Sequence, residues 1–515
     1  MEGMYTADQE GCPVLASAVE TEARQCFEDL LSFCRGDNGT FRQFETSLWQ
    51  RLFALGCLLV RLFLTMRQEW LTGQDDTPPP GYRLGDPQAR RTLKTLFGWV
   101  TYRRTQWLNT RGGHGYYPLD VVLGLTRDGF SPGVIQFVTR WATRMSFAAC
   151  RSLCRSVLGW SPSTEAIEDL VLGLGRQAQP FMEQLATPAH DGDVLVIEVD
   201  GKCPPTARDE ELRQRRGPRR RHQQGCRCGC QRHRGQAKRK RRGRKKRRKK
   251  GDKSKHGKEV MVVVMYTLQR GEDGCLHGPV NKKVWASFGG RQGAAAWARA
   301  EATKRGFGPD TTKTVQIVLD GAKGLKDKLA PLFPGALITL DVCHVVEKLW
   351  DLGQRFHQEG SEELKAQVEE WKELVYAGRA RELVQRLKKL LQEIPTHGPG
   401  TKGKRTTLAK VIGYMEPRVG MMCYAEWREQ DLVIASGQVE GAVRHVVGER
   451  LDCAGMRWIP GRAEAVLHLR CIELNGDWEA FIVWSDQQHQ QRLLDRQAVM
   501  IRSDQPVKLG FALVA

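Results

Sequence analysis

Short apolar runs that end in an aspartate recur in the middle of the chain. They are Val194–Val199 before Asp200, Thr314–Leu319 before Asp320, and Ala336–Leu340 before Asp341. Apolar runs of about four to eight residues that end at a turn signal predict buried strands. Three such strands, each with an acid at its carboxyl end, predict an α/β sheet. Because ligands of open α/β sheets gather at that edge, the pattern also predicts an acidic site there.

The spacing of apolar residues between and after these runs completes one domain. Two more strands are predicted at 259–268 and 282–288, and helices at 293–304, at 325–332 and from Val342 onward. This order, three strands followed by helix-linked strands, is typical of a mixed sheet with helices on its faces. A charged amphipathic pattern predicts a long helical stretch over Ser361–Glu393, with Ser361 as a plausible N-cap, and 408–430 a further helical piece. A last helix is predicted to begin at Ser436, with that serine as its N-cap.

The N-terminal third has a different pattern. Phe41–Trp70 has helical spacing, Thr77–Gly81 is a linker, and Leu93–Arg104 predicts one or two strands. Residues 131–176 predict three helices with a tight turn at 159–163, which suits a helix-turn-helix that reads DNA as well as ordinary core packing. Residues 476–515 predict an irregular tail with three aromatic anchors.

These patterns divide the chain into six segments. We expect a helical N-terminal region with a linker (1–92), a DNA-binding region of strands and helix-turn-helix-like helices (93–190), a catalytic core (191–345 and 434–478), a basic disordered insertion within it (203–258), a helical insertion (346–433) and a C-terminal tail (479–515).

The formal net charge of +21 comes from one segment. Residues 208–258 contain 25 Lys or Arg and 4 Asp or Glu, whereas the rest of the chain has 55 of each sign. Such a segment cannot fold by burying apolar surface, and it binds polyanions by releasing counterions. A solubilising loop or a localisation signal would have the same composition. We favour DNA phosphates as its partner, contacted by Arg239, Lys240, Arg241, Arg242, Arg244, Lys245, Lys246, Arg247 and Arg248.

The fifteen cysteines follow no regular framework, and residues 1–11 lack the pattern of a signal peptide. The run Phe53–Met66 contains Arg61 and is judged too short to span a bilayer. These features predict an intracellular protein with reduced thiols and no membrane partner. A zinc site at Cys226, Cys228, Cys230 and His233 is disfavoured, because their spacing is not that of a usual zinc site.

Asp200, Asp320 and Glu440 are the candidate ligands of divalent cations. Hard cations such as Mg²⁺ prefer oxygen ligands. A pair of them can bind both the attacking and the leaving oxygen in a displacement at phosphorus. Each acid has a simpler alternative. Asp200 and Asp320 are each followed by glycine, which is also how a turn closes a strand. Glu440 has Arg444 four residues later, at the spacing of a surface ion pair.

Asp341 and His344 form a fourth feature at the start of a helix. The histidine could orient a phosphate, bind a metal, or be a capped core residue.

These motifs resemble those of bacterial insertion-sequence transposases of the DDE class, in the ISKra-type and ISLre-type groups, with more distant similarity to Mutator-like transposases. The residues that carry the resemblance are Val199–Gly201, Val318–Lys323, Asp341–His344, Ser436–Gly441, Gly448–Leu451 and Gly455–Trp458, within a span from about Leu93 to Trp478. The Ser-Gly-x-Val-Glu-Gly block followed by Gly-Met-Arg-Trp is the specific part. The long basic segment departs from the family's pattern.

The resemblance implies an RNase H-like core with a helical insertion before the third acid. It implies that Asp200, Asp320 and Glu440 hold two Mg²⁺ ions, with Mn²⁺ as a substitute, and that Asp341 and His344 are secondary site residues. It also implies cleavage at transposon ends, strand transfer to target DNA, and a homo-oligomer on DNA. We expect further DNA contacts from Arg444, Arg450 and Arg457, and a bacterial cytoplasmic, nucleoid-associated protein. Alternatives are an RNase H-like nuclease without strand transfer and a non-catalytic DNA-binding derivative.

Overall fold

The computed structural model describes residues 16–36, 39–74, 78–112, 115–207, 258–322, 324–453 and 456–502, with backbone alone at 74 and 496–502. They divide into two compact units, one from residues 1–181 and 477–515 and the other from residues 182–476.

The first unit begins with two helices, α1 (Ala16–Arg35) and α2 (Phe41–Gln74). Two short antiparallel pairs follow, and their strands are β1 (Tyr82–Leu84), β2 (Ala89–Thr95), β3 (Gly98–Arg104) and β4 (Trp107–Asn109), with β1 paired to β4 and β2 to β3. The helices after them are α3 (Pro118–Val122), α4 (Pro132–Arg144), α5 (Phe147–Leu158) and α6 (Thr164–Gln184).

The core of this unit joins α2 to the β2–β3 hairpin. Cys57 and Leu64 of α2 are buried in one cluster, and their partners are Leu93, Val100, Tyr102 and Leu119. Alternation along β2 and β3 supplies the apolar face of the hairpin. The predicted strands and the three helices over 131–176 are therefore confirmed as elements, whereas DNA reading by those helices stays a prediction.

One side of α2 is apolar and exposed. By length and composition alone, Phe41–Gly73 could cross a membrane, and 17% of its apolar window is buried; no other described helix passes that test. The judgement that Phe53–Met66 is too short to span a bilayer is thus corrected, because the helix continues beyond both ends of that run. A core helix of a soluble protein passes the same test.

The second unit is built on a five-stranded mixed sheet, which confirms the predicted α/β class. Its strands are β5 (Val194–Lys202), β6 (Val260–Arg270), β7 (Leu276–Ser287), β8 (Thr314–Leu319) and β9 (Leu337–Leu340), in the order β7-β6-β5-β8-β9. The first three are antiparallel neighbours, while β5, β8 and β9 run parallel. Because β5 and β8 are buried along most of their length, the near-continuous apolar runs that predicted them are typical of central strands.

Helices complete the second unit. They are α7 (Gly290–Lys304), α8 (Lys326–Leu329), α9 (Val342–Gly353), α10 (Glu362–Tyr376), α11 (Ala380–Glu393), α12 (Thr401–Met415), α13 (Tyr424–Glu429), α14 (Gly437–Val443), α15 (Glu449–Leu451) and α16 (Pro460–Leu474). Short 3₁₀ segments lie at Ala330–Leu332 and Glu416–Met421, and a π-helical turn lies at Arg444–Gly448.

Two predicted helical stretches are divided in the structure. The stretch over Ser361–Glu393 is two helices, because Gly378 adopts φ +73° between them. The piece over 408–430 is likewise α12, a 3₁₀ segment and α13.

The predicted irregular tail is wrong up to Arg502. Residues Trp478–Arg502 form a C-terminal helix in the first unit, with Trp478 and Phe481 buried. Phe181 packs against the Phe481 and Trp484 rings at centroid distances of 5.2 and 5.6 Å. The aromatic anchors thus hold the first turns of this helix in the core of the first unit.

Candidate metal centre

Asp200 and Asp320 leave neighbouring parallel strands at the same edge of the sheet. Val199 of β5 lies opposite Leu319 of β8, so each acid is the next residue of its strand's path. Asp200 Oδ1 accepts a hydrogen bond from the Gly201 N–H at 2.6 Å. Asp320 Oδ1 accepts from the Ala322 N–H at 2.7 Å. The Asp320 carboxylate is thus oriented by the turn that follows it, whereas Asp200 lies inside β5, which continues to Lys202, and its predicted place at the end of the strand is wrong.

Gly321 is required by the turn after Asp320. Its φ is +79°, and a Cβ there would lie 2.9 Å from Leu340 and 3.0 Å from the Tyr414 and Arg418 side chains. Tyr414 donates its hydroxyl to the Asp320 carbonyl at 2.8 Å, and Arg418 donates to the Gly321 carbonyl at 2.7 Å. The 401–421 segment thus encloses the backbone that presents Asp320, and the glycine is more than a turn signal.

Glu440 reaches the sheet on helix α14, which begins immediately after a fixed loop. The Gln316 side chain of β8 accepts from Val433 N–H at 3.0 Å and donates to the Val433 carbonyl at 2.6 Å. Val342 N–H donates to the Ile434 carbonyl at 3.0 Å. These bonds attach the loop to β8 and α9, so Glu440 is delivered from a rigid support.

Asp341 is the buried hub that joins this loop to helix α9. Its side chain accepts from the Cys343 N–H at 2.9 Å and from the Ser436 hydroxyl at 2.6 Å. It also bonds His344 Nδ1 at 2.6 Å. Ser436 occupies the predicted N-cap position of α14, but its hydroxyl donates to Asp341 and forms no cap bond among the described residues.

Glu198 is a second buried acid, two residues before Asp200 on β5. Its side chain accepts from the Tyr266 hydroxyl at 2.7 Å and from the Val439 N–H at 2.8 Å. Val439 directly precedes Glu440, so this carboxyl group joins the strand of the first acid to the helix of the third. Burial raises the pKa of Glu198 to about 7.

The charges of two predicted ligands act on the third. Burial raises the pKa of Asp200, and the negative charges of Asp320 and Glu440 raise it further, whereas the Gly201 N–H and His344 oppose this. Asp320 and Glu440 therefore lie near enough to Asp200 for their charges to act on its carboxyl group. The role of the three acids as ligands of one metal centre stays a prediction.

His344 carries the positive charge of the site. Its hydrogen bond to Asp341 raises its pKa to about 9, against the effect of burial. Burial raises the pKa of Asp341, but the bonds from His344 and Ser436 outweigh it, so that its pKa is lowered. At neutral pH the pair is an imidazolium and a carboxylate, and Nε2 is the ring nitrogen outside this bond.

Ligand atoms of Asp341, His344 and Glu440 lie within 4.8 Å of one another, close enough for a metal ion. Asp341 is a poor ligand because it is fully buried and already accepts three hydrogen bonds. Asp200 and Asp320 are partly accessible and Glu440 is exposed, so each can offer a carboxylate oxygen to a cation. Carboxylate oxygens are the hard donors that Mg²⁺ prefers. The chemistry of this donor set therefore suits a divalent cation, while the geometric criterion is met by Asp341, His344 and Glu440.

The predicted DNA contacts have different outcomes. Arg444 and Arg457 are exposed. Arg450 is 1% exposed, and its guanidinium lies over the Trp458 ring at 4.7 Å, so the predicted DNA contact is corrected to a packing role. The basic residues from Arg239 to Arg248, and the Cys226–His233 group, lie outside the described residues.

Sequence reasoning missed Glu198, Gln316 and Tyr414. The available signal was weak: Glu198 and Gln316 are single polar residues inside otherwise apolar strands. A polar residue in a buried strand needs a partner, and here both partners lie in the segment before Glu440.

Comparison with known proteins gives little information about the function of this site. No protein-family model and no curated protein matches the sequence. Among solved structures, the chain is similar to the Drosophila P element transposase strand transfer complex, with 11% identity and a TM-score of 0.28. That similarity covers 69% of this chain and 94% of the other. An identity and a TM-score this low support no conclusion about the function of this chain.

Proposed function

We propose that this protein is a DNA transposase of the DDE class, which cleaves transposon ends and joins them to target DNA. The observation that supports the proposal is that the charges of Asp320 and Glu440 both act on the buried carboxyl group of Asp200 and raise its pKa. An acid from a helix and two acids from neighbouring strands are the arrangement that a two-metal site needs.

The sheet supports an RNase H-like core. Asp200 lies near the end of β5, Asp320 follows the adjacent parallel strand β8, and Glu440 comes from a helix anchored to the same two strands. Helices α9 to α13 separate the second acid from the third, as the resemblance implies for a helical insertion. This order of strands and helices supports the proposed transposase core.

Asp200, Asp320 and Glu440 would hold two Mg²⁺ ions, for which Mn²⁺ would substitute. Such ions activate the attacking oxygen and stabilise the leaving oxygen of a phosphodiester. The chain's own residues supply orientation: β5 and β8 fix two carboxylates, and the bonds from Glu198 and Asp341 fix the third. The protonated His344, with Nε2–H available, would donate to a phosphate oxygen of the DNA.

DNA would approach over positive charge. Arg444 and Arg457 are exposed, on the turn after Glu440 and before Trp458 respectively. The basic segment 208–258 begins eight residues after Asp200 in the sequence and carries the chain's excess of positive charge. Deleting 208–255 should reduce the salt dependence of DNA binding, because the slope counts released counterions. An unchanged slope would contradict a DNA-binding role for the segment.

The test of function uses the full chain with DNA fragments that flank its coding region. Asp200→Ala and Glu440→Ala should lose Mg²⁺-dependent cleavage by about 10³-fold or more while binding the same DNA, since each removes a charged ligand of the reacting centre. Glu429→Ala, a substitution of an exposed acid in the same unit, is the control and should cleave normally.

The products decide between the candidate activities. Joining of the cut end to a plasmid supports a transposase, whereas cleavage without joining indicates a nuclease. No cleavage by the unsubstituted protein would favour a non-catalytic DNA-binding protein. We further propose that it acts as a homo-oligomer at the bacterial nucleoid.

A further inference from the structure

Helix α2 has a stripe of large apolar side chains that the fold leaves exposed. Each member is about half exposed: Trp49 50%, Leu52 50%, Leu59 50%, Phe63 52%, Met66 56% and Trp70 49%. Single exposed apolar residues are ordinary on protein surfaces, but a contiguous set of this size marks an interaction surface. We call these six residues the α2 stripe.

The spacing of the stripe is that of a helix–helix seam. Steps of three and four residues alternate from Trp49 to Trp70, with Gly56 at the one position that lacks a side chain. A 3.5-residue repeat keeps a seam on one side of a helix and suits packing against a second helix. Phe97 covers the gap: a Cβ on Gly56 would lie 2.4 Å from its ring, and Phe97 is itself 40% exposed. The apolar surface is therefore continuous.

The stripe is separate from the face that α2 uses for folding. Cys57 and Leu64 are 6% and 2% exposed and pack in the core with the β2–β3 hairpin. A lipid-spanning helix would need every face compatible with a bilayer, whereas this helix is attached along one face to a hairpin whose strands include Arg90, Arg91, Arg103 and Arg104. The attached hairpin and its charges argue against a bilayer as the occupant of the stripe.

We propose that the α2 stripe is the interface through which two copies of this chain associate. Six side chains that each expose roughly 100 Å² would bury about 600 Å² per chain, or about 1,200 Å² for the pair. That reaches the lower bound of a stable protein interface. A heptad seam is self-complementary, which is the requirement of a two-fold interface between identical chains. The stripe runs for roughly 32 Å, or about three heptads of contact.

Sedimentation of the full chain without DNA tests this proposal. The unsubstituted chain should have twice the 58.2 kDa mass of one copy. Phe63→Glu with Met66→Glu should reduce the mass to that of a monomer, and Phe63→Lys with Met66→Lys should do the same, because like charges would face each other in the seam. Gln43→Glu with Ala54→Glu, two exposed positions of α2 away from the stripe, is the matched control and should remain dimeric.

Mixing separates loss of the interface from loss of folding. The acidic and basic variants, each monomeric alone, should form a dimer when combined at low salt, which misfolded chains would not do. A monomeric unsubstituted chain, unchanged mass in both variants, or no dimer on mixing would overturn the proposal. Binding of the unsubstituted chain to phosphatidylcholine vesicles, lost in both variants, would assign the stripe to a membrane instead. The measurement needs neither DNA nor metal, so Asp200→Ala should dimerise normally whether or not the proposed enzymatic function is correct.

Discussion

The carboxyl group of Glu198 accepts a hydrogen bond from the Val439 N–H at 2.8 Å, across 241 residues of sequence. Glu198 lies two residues before Asp200, and Val439 lies one residue before Glu440. A single buried contact thus fixes the first and third acids relative to each other. The supporting bond from Tyr266 at 2.7 Å holds the Glu198 side chain in place.

Glu198 should make the metal-free protein less stable as pH rises. Burial raises its pKa in the folded state from 4.5 to about 7, so the folded chain keeps a proton that the unfolded chain releases. The associated stability is complete below pH 4.5 and is lost as pH rises towards 7, by about 3 kcal/mol. The amide of Glu198→Gln resembles the protonated acid. The free energy of unfolding of this variant, measured with urea, should therefore change less between pH 4.5 and about 7. A curve parallel to that of the unsubstituted chain would contradict the raised pKa.

Divalent cations should stabilise the chain through the same three acids. Binding only to the folded state adds about 2.7 kcal/mol when Mg²⁺ is at a hundred times its dissociation constant. Asp320→Asn should abolish most of the rise in melting temperature, because one ligand and one charge are lost. Asp327→Asn, in the short helix that follows, is the control. If Mg²⁺ raised the melting temperature of Asp320→Asn as much as that of the unsubstituted chain, Asp320 would not be a metal ligand.

Asp341→Asn should lower the pKa of His344. The hydrogen bond to Asp341 is the main reason that the pKa is raised from 6.5 to about 9. Without the carboxylate charge, it should fall back by about two units, which NMR titration of labelled histidine would measure after assignment with His344→Gln. Glu347→Gln should change it much less, since Glu347 contributes only through its charge. A pKa that stays near 9 in Asp341→Asn would show that another group holds the proton.

The buried pair of Asp191 and Arg305 should dominate the stability of the second unit. Arg305 donates from Nε at 2.6 Å and from Nη2 at 2.7 Å, and its side chain is fully buried. Arg305→Met should cost about 3–5 kcal/mol in urea unfolding, because it leaves a buried carboxylate without its charge partner. Arg386→Ala, in an exposed pair with Glu370, should cost less than about 1 kcal/mol. An equal loss of unfolding free energy in Arg305→Met and Arg386→Ala would contradict a major contribution from the buried pair.

The Asp191–Arg305 pair contributes stability whose pH dependence is opposite to that of Glu198. Burial raises the pKa of Asp191, but its bonds from Arg305 and Thr267 outweigh this and leave the pKa lowered. The contribution is therefore complete above pH 3.8 and is lost as pH falls through the lower folded value. Asp191→Asn should reduce the acid sensitivity of unfolding; an unchanged acid limb would assign that sensitivity to other carboxylates.

The pattern of apolar residues predicted those elements whose structure depends mainly on residues close to them in the sequence. The strand before Asp200 and the strand before Asp320 are continuous apolar runs, and such runs have few alternatives. The C-terminal helix was missed because Gln487 to Gln491 are polar, and its placement depends on Trp478 and Phe481 docking in the first unit.

The site was predictable only in part for a similar reason. Asp200, Asp320 and Glu440 could be named from strand ends and from a resemblance. Glu198 and Gln316 could not, because their partners, Val439 and Val433, are more than 100 residues away. Arg450 resembled a surface cation in sequence, and only packing over Trp458 revealed its role.

The number of Mn²⁺ ions bound per chain, measured by electron paramagnetic resonance in the presence of DNA, tests the central claim most directly. Two ions with a spin-coupled signal are expected in the unsubstituted chain. The coupling should disappear in Asp200→Asn, whereas Glu429→Ala should keep it. The same coupled pair in Asp200→Asn, or no ion bound in the unsubstituted chain, would contradict a metal centre formed by Asp200, Asp320 and Glu440.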